Sequence, residues 1–253
     1  MIISNKSWDK YIAGLRAVNQ TAADKMAAYL AQFETWTTPQ TRKALIDYAY
    51  SLSTAYGEAA AELACQMYDS MVELSGKGYP AAEPAGTADI HEVAKAVNGT
   101  IKTGNADVVA GAVGRLVKMA GVDTTMYNAL RDGAEWAWIP RGDTCMFCLT
   151  LASRGWQRAS KSALKDGHAE HIHANCDCTY AIRFDDDTDV EGYDPEIYKR
   201  MYDEASQGDS QDKINAMRRE AYKENKEKIN EQKRSAYAKR RERESSAAEE
   251  ISV

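Results

Sequence analysis

The stretch TCMFCLTLASRGWQRASKSALKDGHAEHIHANCDCTYAIR (Thr144–Arg183) decides how the centre of this chain is organised, because it holds four of the five cysteines. The four form a C-x2-C pair and a C-x-C pair, and a histidine precedes the second pair as H-x2-C-x-C. Two thiol pairs separated by a loop, with an imidazole beside one of them, suit one tetrahedral zinc ion. The candidate ligands for its four positions are Cys145, Cys148, His173, Cys176 and Cys178, with His168 and His171 as further options.

Composition favours a metal site over disulfide bonds. The 253 residues, 44% hydrophobic and 28% charged, are ordinary for a soluble globular protein of one large or two small domains. No apolar run approaches the roughly 18 residues of a membrane span, and the N-terminus MIISNKSWDKY does not read as a secretory signal. Clustered cysteines in a reducing compartment more often bind metal, and the fifth, Cys65, is predicted to be a buried apolar residue.

Apolar periodicity predicts a mainly α (α+β) fold whose N-terminal helical region spans residues 1–133. One helix is predicted from residue 7 to about residue 34, with Ser7 as its cap. A second helix is predicted to begin at Thr38-Pro39 and to end at Gly76, because proline suits the first helical position and glycine the C-terminal stop. The two long helices are expected to pack as an antiparallel hairpin.

Three shorter helices are predicted after the proline-containing loop GKGYPAAEPAG. They are expected over residues 88–98, over 105–120 with a stop at Gly121, and from about Thr124 to Gly133.

Residues 134–185 are predicted to form a small zinc-stapled module with short β-strands. Trp136–Ile139 and Cys178–Phe184 both alternate between larger and smaller residues, as strands do. Because these two segments flank the cysteine pairs, they are expected to pair with each other beside the metal.

Residues 186–253 are predicted to be an acidic linker followed by a long charged helix or tail. Residues 183–209 hold 10 acidic and 3 basic residues, whereas residues 211–244 hold 12 basic and 7 acidic residues. The second block has only a thin apolar stripe, so it is expected to stay solvated or to become ordered on a partner. Its basic cluster makes packaged DNA one candidate partner, although the net charge of −6 gives the whole chain no general attraction for nucleic acid.

No catalytic arrangement is recognisable, so the chain is predicted not to be an enzyme. His168 and Glu170 form an H-x-E, but it follows the C-x2-C, whereas in zinc deaminases it precedes P-C-x-x-C. His171 and His173 lack the acidic neighbours of a histidine-metal nuclease. The sequence has no nucleophile elbow and no phosphate-binding glycine loop, and the run Asp185–Asp189 lacks the glycine and glutamate of an EF-hand.

The segments AEWAWIPRGDTCMFCLTLASRG and HANCDC together resemble the phage Mu F-type (MuF) minor head proteins. That family shows an aromatic strand, a C-x2-C followed by a short leucine- and glycine-containing run, and then H-x-N-C-x-C. The segments Trp136–Ile139, Leu149–Gly155 and His173–Cys178 occupy the corresponding places in this chain. The family often has proline and arginine where this chain has Ala174 and Asp177, so an arginine-dependent contact would be lost while the candidate ligands remain.

The resemblance implies a phage minor capsid protein that acts near the portal vertex in head morphogenesis or in DNA packaging and ejection. Its partners would be portal, capsid or scaffold proteins, with no membrane, and it would lie in the virion and, during assembly, in the host cytoplasm. The zinc would be structural. A different class of function stays open: a zinc-stabilised nucleic-acid-binding protein that uses the basic C-terminal helix.

Overall fold

The computed structural model describes residues 2–3, 5–140, 146–160, 178–204 and 212. The described residues up to Tyr198 belong to one compact unit. Its helices are α1 (Asn5–Leu30), α2 (Pro39–Ser75), α3 (Ile90–Thr100), a 3-10 turn (Ile101–Thr103), α4 (Ala106–Asp132) and α5 (Met146–Ala152), and α6 (Pro195–Glu204) begins within it. The strands are β1 (Ile2–Ile3), β2 (Glu135–Ile139), β3 (Gln157–Arg158), β4 (Thr179–Arg183) and β5 (Asp189–Val190). The predicted mainly α class is confirmed, with a small antiparallel sheet as the β component.

Helices α1 and α2 pack as the predicted antiparallel hairpin. Tyr29 near the end of α1 packs against Tyr48 near the start of α2, with ring centroids 4.1 Å apart, whereas Gly14 lies against Leu63 much further along α2. Helix α1 begins at Asn5, so Ser7 lies inside it and the predicted Ser7 cap is wrong. The helix ends at Leu30, about four residues before the predicted end.

Both predicted ends of α2 are confirmed. The Thr38 hydroxyl accepts a hydrogen bond from the backbone N–H of Thr41 at 3.2 Å, and Pro39 occupies the first helical position. Gly76 has φ +66°, the left-handed conformation that glycine adopts without steric penalty. Contacts between neighbouring residues at Thr38 and Gly76 therefore determine where this long helix begins and ends.

Helix α4 is continuous from Ala106 to Asp132, so the predicted stop at Gly121 and the new start near Thr124 are wrong. Gly121 instead permits close packing, because a Cβ there would lie 3.1 Å from the backbone oxygen of Ala60 in α2 and 3.3 Å from Leu15 in α1. Thr124 donates its hydroxyl to the Ala120 carbonyl at 2.7 Å, within the helix. A glycine at a helix crossing thus resembles a helix stop in sequence.

The segment between α2 and α3, residues 77–89, is an extended strap that polar side chains hold against α2 and α4. Asn128 accepts from the Glu83 N–H at 3.0 Å and donates to the Glu83 carbonyl at 2.8 Å. Thr124 accepts from Ala85 N–H at 3.1 Å, and Asp69 accepts from Ala82 N–H at 2.7 Å. The long loop is therefore a fixed part of the fold.

The sheet has the order β3-β2-β4, with both pairings antiparallel. The predicted pairing of Trp136–Ile139 with the segment after Cys178 is confirmed: Trp138 lies opposite Tyr180, and Ile139 lies opposite Thr179. Strand β3 and the short parallel pair β1–β5 were not predicted. Half of the described residues in the predicted 186–253 region form α6. Residues 205–211 and 213–253, which hold all of the basic block except residue 212, lie outside the described residues.

Candidate metal centre

Antiparallel pairing of β2 and β4 brings the two cysteine motifs to the same end of the sheet. Strand β2 ends at Ile139, and the chain continues from there toward the C-x2-C. Strand β4 begins opposite that residue, at Thr179, directly after the last cysteine of the C-x-C. The described residues next to the two motifs, Ile139 and Thr179, therefore lie opposite each other, an arrangement that is compatible with ligands from both motifs around one ion.

The structure describes two of the five predicted ligands, and both are fully buried. Cys148 lies on α5, which packs on β2, and its exposed fraction is 0%. Cys178 precedes β4 and is also 0% exposed. Both thiols belong to the hydrophobic cluster that joins the sheet to the helices. The geometry thus places one cysteine of each motif in a dry environment at one edge of the module.

The other three predicted ligands, Cys145, His173 and Cys176, lie outside the described residues, as do His168, Glu170 and His171. Among residues 2–3, 5–140, 146–160 and 178–204, no three His, Cys, Asp or Glu side chains are grouped closely enough to hold a metal. Of the predicted ligands, only Cys148 and Cys178 lie in this part of the chain, so the ligand assignment stays a prediction.

One face of the sheet beside these thiols is aromatic. Trp136 and Trp138 project to the same side of β2, and the ring of Tyr180 lies edge-on to both, with centroids 4.7 Å from each. All three side chains are at most 3% exposed. Burial raises the pKa of Tyr180, and the nearby Asp123 and Cys148 raise it further, while Arg154 lowers it.

On the opposite face of the sheet, Arg183 forms ion pairs, and its side chain is only 13% exposed. Its guanidinium pairs with Glu135 on β2 at 2.7 Å and with Asp186 at 3.3 Å. It also lies 4.7 Å from the ring centroid of Trp156, within the range of a cation–π contact. This arginine holds β2, β4 and the turn after β4 together, so the acidic run that the sequence shows is partly neutralised by it.

The two described thiols, Cys148 and Cys178, have the chemistry of structural zinc ligands. Buried thiols at the meeting point of two chain segments would bind zinc as thiolates, and the ion would offset their negative charge in surroundings that have little water. Cys148 and Cys178 would each supply one ligand, with the remaining ligands from Cys145, His173 and Cys176. A zinc ion there would link the two loops and add folding free energy.

Sequence reasoning missed two polar groups close to this region. Asp123 on α4 is largely buried, and loss of water contact, with a smaller effect of Glu92, raises its pKa to about 6. The Trp138 indole N–H is buried and has no hydrogen-bond partner among the described residues. No sequence signal marks either group, because each depends on packing between distant segments. Cys65 is buried in α2 at 6% exposed, which confirms its predicted place in the core.

The fold and the thiols define a mainly helical protein that carries a small cysteine-bearing β module. The protein-family model described as VG15 protein matches residues 2–205. The chain therefore belongs to the VG15 family, a family of viral (phage) proteins. The comparisons with curated proteins and with solved structures each return no match. Of the helices that the structure describes, none is long and apolar enough to cross a membrane.

Proposed function

We propose that this chain is a phage minor capsid protein that acts near the portal vertex in head morphogenesis, DNA packaging or ejection. The observation that carries the proposal is the VG15 family match over residues 2–205, which spans the helices, the strap and the cysteine module together. The resemblance of the module to MuF minor head proteins supports a role in the phage head. The basic block at residues 211–244 lies beyond the matched region, so the family match gives no support to a role for this block.

In this proposal the protein works by binding and not by catalysis. The α1–α2–α4 bundle provides rigid faces for contacts with portal, capsid or scaffold proteins. The module at residues 134–185 holds its shape through a structural zinc ion bound by four of Cys145, Cys148, His173, Cys176 and Cys178. Buried Cys148 and Cys178 support this role, because a closed site with protein ligands stabilises a fold and leaves no open position for a substrate.

The test is the composition of phage particles. Mass spectrometry of purified virions and of assembly intermediates should detect this chain at low copy number, and deletion of its gene should reduce the yield of filled, infectious heads. Complementation provides matched variants: Cys65→Ser, which changes a buried thiol of the bundle, should restore infectivity, whereas Cys148→Ser should not. Absence of the chain from virions and intermediates, or normal head assembly after deletion, would overturn the proposal.

A further inference from the structure

The strap is held by its backbone and not by its side chains. Between Pro80 and Ala85, six hydrogen bonds join it to α2 and α4, and in each of them the strap supplies a backbone atom. The groups that bind these atoms, called the strap site below, are the side chains of Asp69, Thr124, Asn128 and Arg131. No residue from 77 to 89 is buried. The strap site therefore recognises an extended backbone.

Contacts within the helices hold the strap site in place. The Arg131 guanidinium donates to both carboxylate oxygens of Asp132, at 2.7 and 2.8 Å, and buried Tyr68 donates to the same carboxylate at 2.8 Å. Asn128 also donates to the Thr124 carbonyl, and the Thr124 hydroxyl donates to a carbonyl one turn earlier in α4. The site is thus preformed, and these contacts remain when the strap leaves it.

The strap is long enough to leave the site while both of its ends stay attached. It follows Gly76 at the end of α2 and returns to Gly57, where an added Cβ would lie 2.8 Å from the Thr87 methyl group. These two glycines are about 28 Å apart along the helix, whereas residues 76–87 can span about 38 Å. The extra length lets the strap bulge outward by about 13 Å, roughly the width of one helix. Such a bulge clears the strap site but is too short to lie along the strap site of a second copy.

We propose that the strap site is a docking site for an extended segment of a partner protein, rich in proline and small residues, and that the strap is the intramolecular occupant that this segment displaces. Main-chain hydrogen bonds supply affinity in such complexes, and side chains supply specificity. Because the strap buries no side chain fully, a segment that buries even one gains binding free energy that the strap lacks. A proline-rich segment is extended before it binds, so it loses less conformational entropy. The inference depends neither on a zinc ion nor on the place of the protein in the phage.

The strap competes with such a segment because it belongs to the same chain. A short tether gives an effective concentration in the millimolar range, so wild-type protein should bind a separate segment weakly. Weakening the strap while leaving the strap site unchanged should expose the site to a peptide added in solution.

The experiment uses proline to remove backbone donors from the strap. Proline has no N–H, so the double variant Ala82→Pro, Ala85→Pro loses two of the six hydrogen bonds and keeps every side chain of the strap site. The control is Ala81→Pro, because the bonded group of Ala81 is its carbonyl. The probe is a fluorescent peptide with the sequence of residues 77–89, titrated into each full-length protein and followed by fluorescence anisotropy.

The double variant should bind the peptide at least about 10-fold more tightly than wild type and Ala81→Pro do, because its own strap competes less. Adding Asn128→Ala to the double variant should weaken this binding about 10-fold. A peptide that carries the same two prolines should also bind about 10-fold more weakly, because the strap site binds its N–H groups.

Two results would overturn the proposal. If the strap amides of the double variant exchange rapidly and the peptide still does not bind, the vacated site does not accept an extended chain. If the double variant forms a dimer in analytical ultracentrifugation and binds no peptide, the site belongs to a second copy and not to a partner protein.

A second measurement uses wild-type protein and applies if the double variant does not fold. Hydrogen exchange followed by NMR should show that the N–H groups of Ala82, Glu83 and Ala85 exchange through local opening, at least about 10-fold faster than the buried amides of α2 and α4. Exchange of these three groups only together with α2 and α4 would mean that the strap does not leave its site, and it would overturn the proposal.

Discussion

The helical bundle and the cysteine module are stabilised in different ways, although they share one hydrophobic cluster. In the bundle, long helices carry their own backbone hydrogen bonds, and small residues let α4 approach α1 and α2 closely. In the module, five-residue strands depend on partners far away in sequence, such as Glu135 with Arg183. Short strands and a 7-residue helix cannot bury much apolar surface by themselves. The bundle is therefore set largely by local hydrogen bonds and helix packing, whereas the module depends on packing against the bundle and on contacts between segments that are distant in sequence.

The largest expected difference between the two regions follows from metal removal. A structural zinc contributes on the order of 10 kcal/mol to the folding of small domains, so a chelator should release the module and leave the bundle folded. Hydrogen exchange followed by mass spectrometry should show rapid exchange of β2 and β4 after chelation, with α2 and α4 still protected. Equal protection of the module with and without chelator would contradict this expectation.

A second change breaks the bundle at its closest approach. Gly121→Leu raises helix propensity but places a side chain 3.1 Å from the Ala60 carbonyl oxygen, so the free energy of unfolding should fall by about 2–3 kcal/mol. Urea unfolding measures this free energy. Gly99→Ala in α3 is the control, because a Cβ there meets no atom within 4 Å, and this variant should be more stable by about 0.5 kcal/mol. Similar effects at both positions would show that packing at Gly121 is loose.

A third change tests whether the strap is held by side chains. Asn128→Ala removes both hydrogen bonds to Glu83 and the one to the Thr124 carbonyl, so stability should fall by about 1–2 kcal/mol. Limited proteolysis should then cut within residues 77–89. The exposed amide of Gln66 donates a hydrogen bond to Glu62, one turn away, so Gln66→Ala should change stability by less than about 0.5 kcal/mol. An uncut strap in Asn128→Ala would argue that apolar contacts hold it.

A fourth change, of similar size, concerns the dependence of stability on pH. The pKa of Asp123 is raised to about 6 in the folded protein, so its ionisation opposes folding. Its contribution favours the folded state while the group is protonated, and stability should fall as pH rises from about 4 through 6. Asp123→Asn should remove this slope and increase stability at pH 7 by about 1–2 kcal/mol, measured by urea unfolding at several pH values. The control is Glu58→Gln at an exposed position, which should leave the pH dependence of stability unchanged. If Asp123→Asn also leaves it unchanged, the pH dependence arises from other groups.

The bundle was largely predictable because its signals are local. Thr38, Pro39 and Gly76 mark the ends of α2 through neighbouring backbone atoms, and apolar periodicity marks its buried face. Gly121 misled the prediction because the same residue type ends helices and permits helix crossings. Only the position of Ala60 and Leu15, which a single sequence does not give, separates the two uses.

The module was predictable in outline and not in detail. The alternation around Trp136 and Tyr180 predicted β2, β4 and their pairing. The two-residue strand β3 is too short to leave a pattern. The contacts of Asn128 with the strap and of Arg183 with Glu135 join residues 45 and 48 positions apart, respectively. Such contacts arise only when the fold is complete, and the same holds for the raised pKa of Asp123.

The zinc content of the purified protein tests the central claim most directly. Elemental analysis of protein purified without chelator should find about one zinc ion per chain, and Cys148→Ser and Cys178→Ser should lose it while Cys65→Ser retains it. That result would establish the module as a zinc-stapled unit. Absence of zinc from the wild type, or its retention in both module variants, would contradict the account.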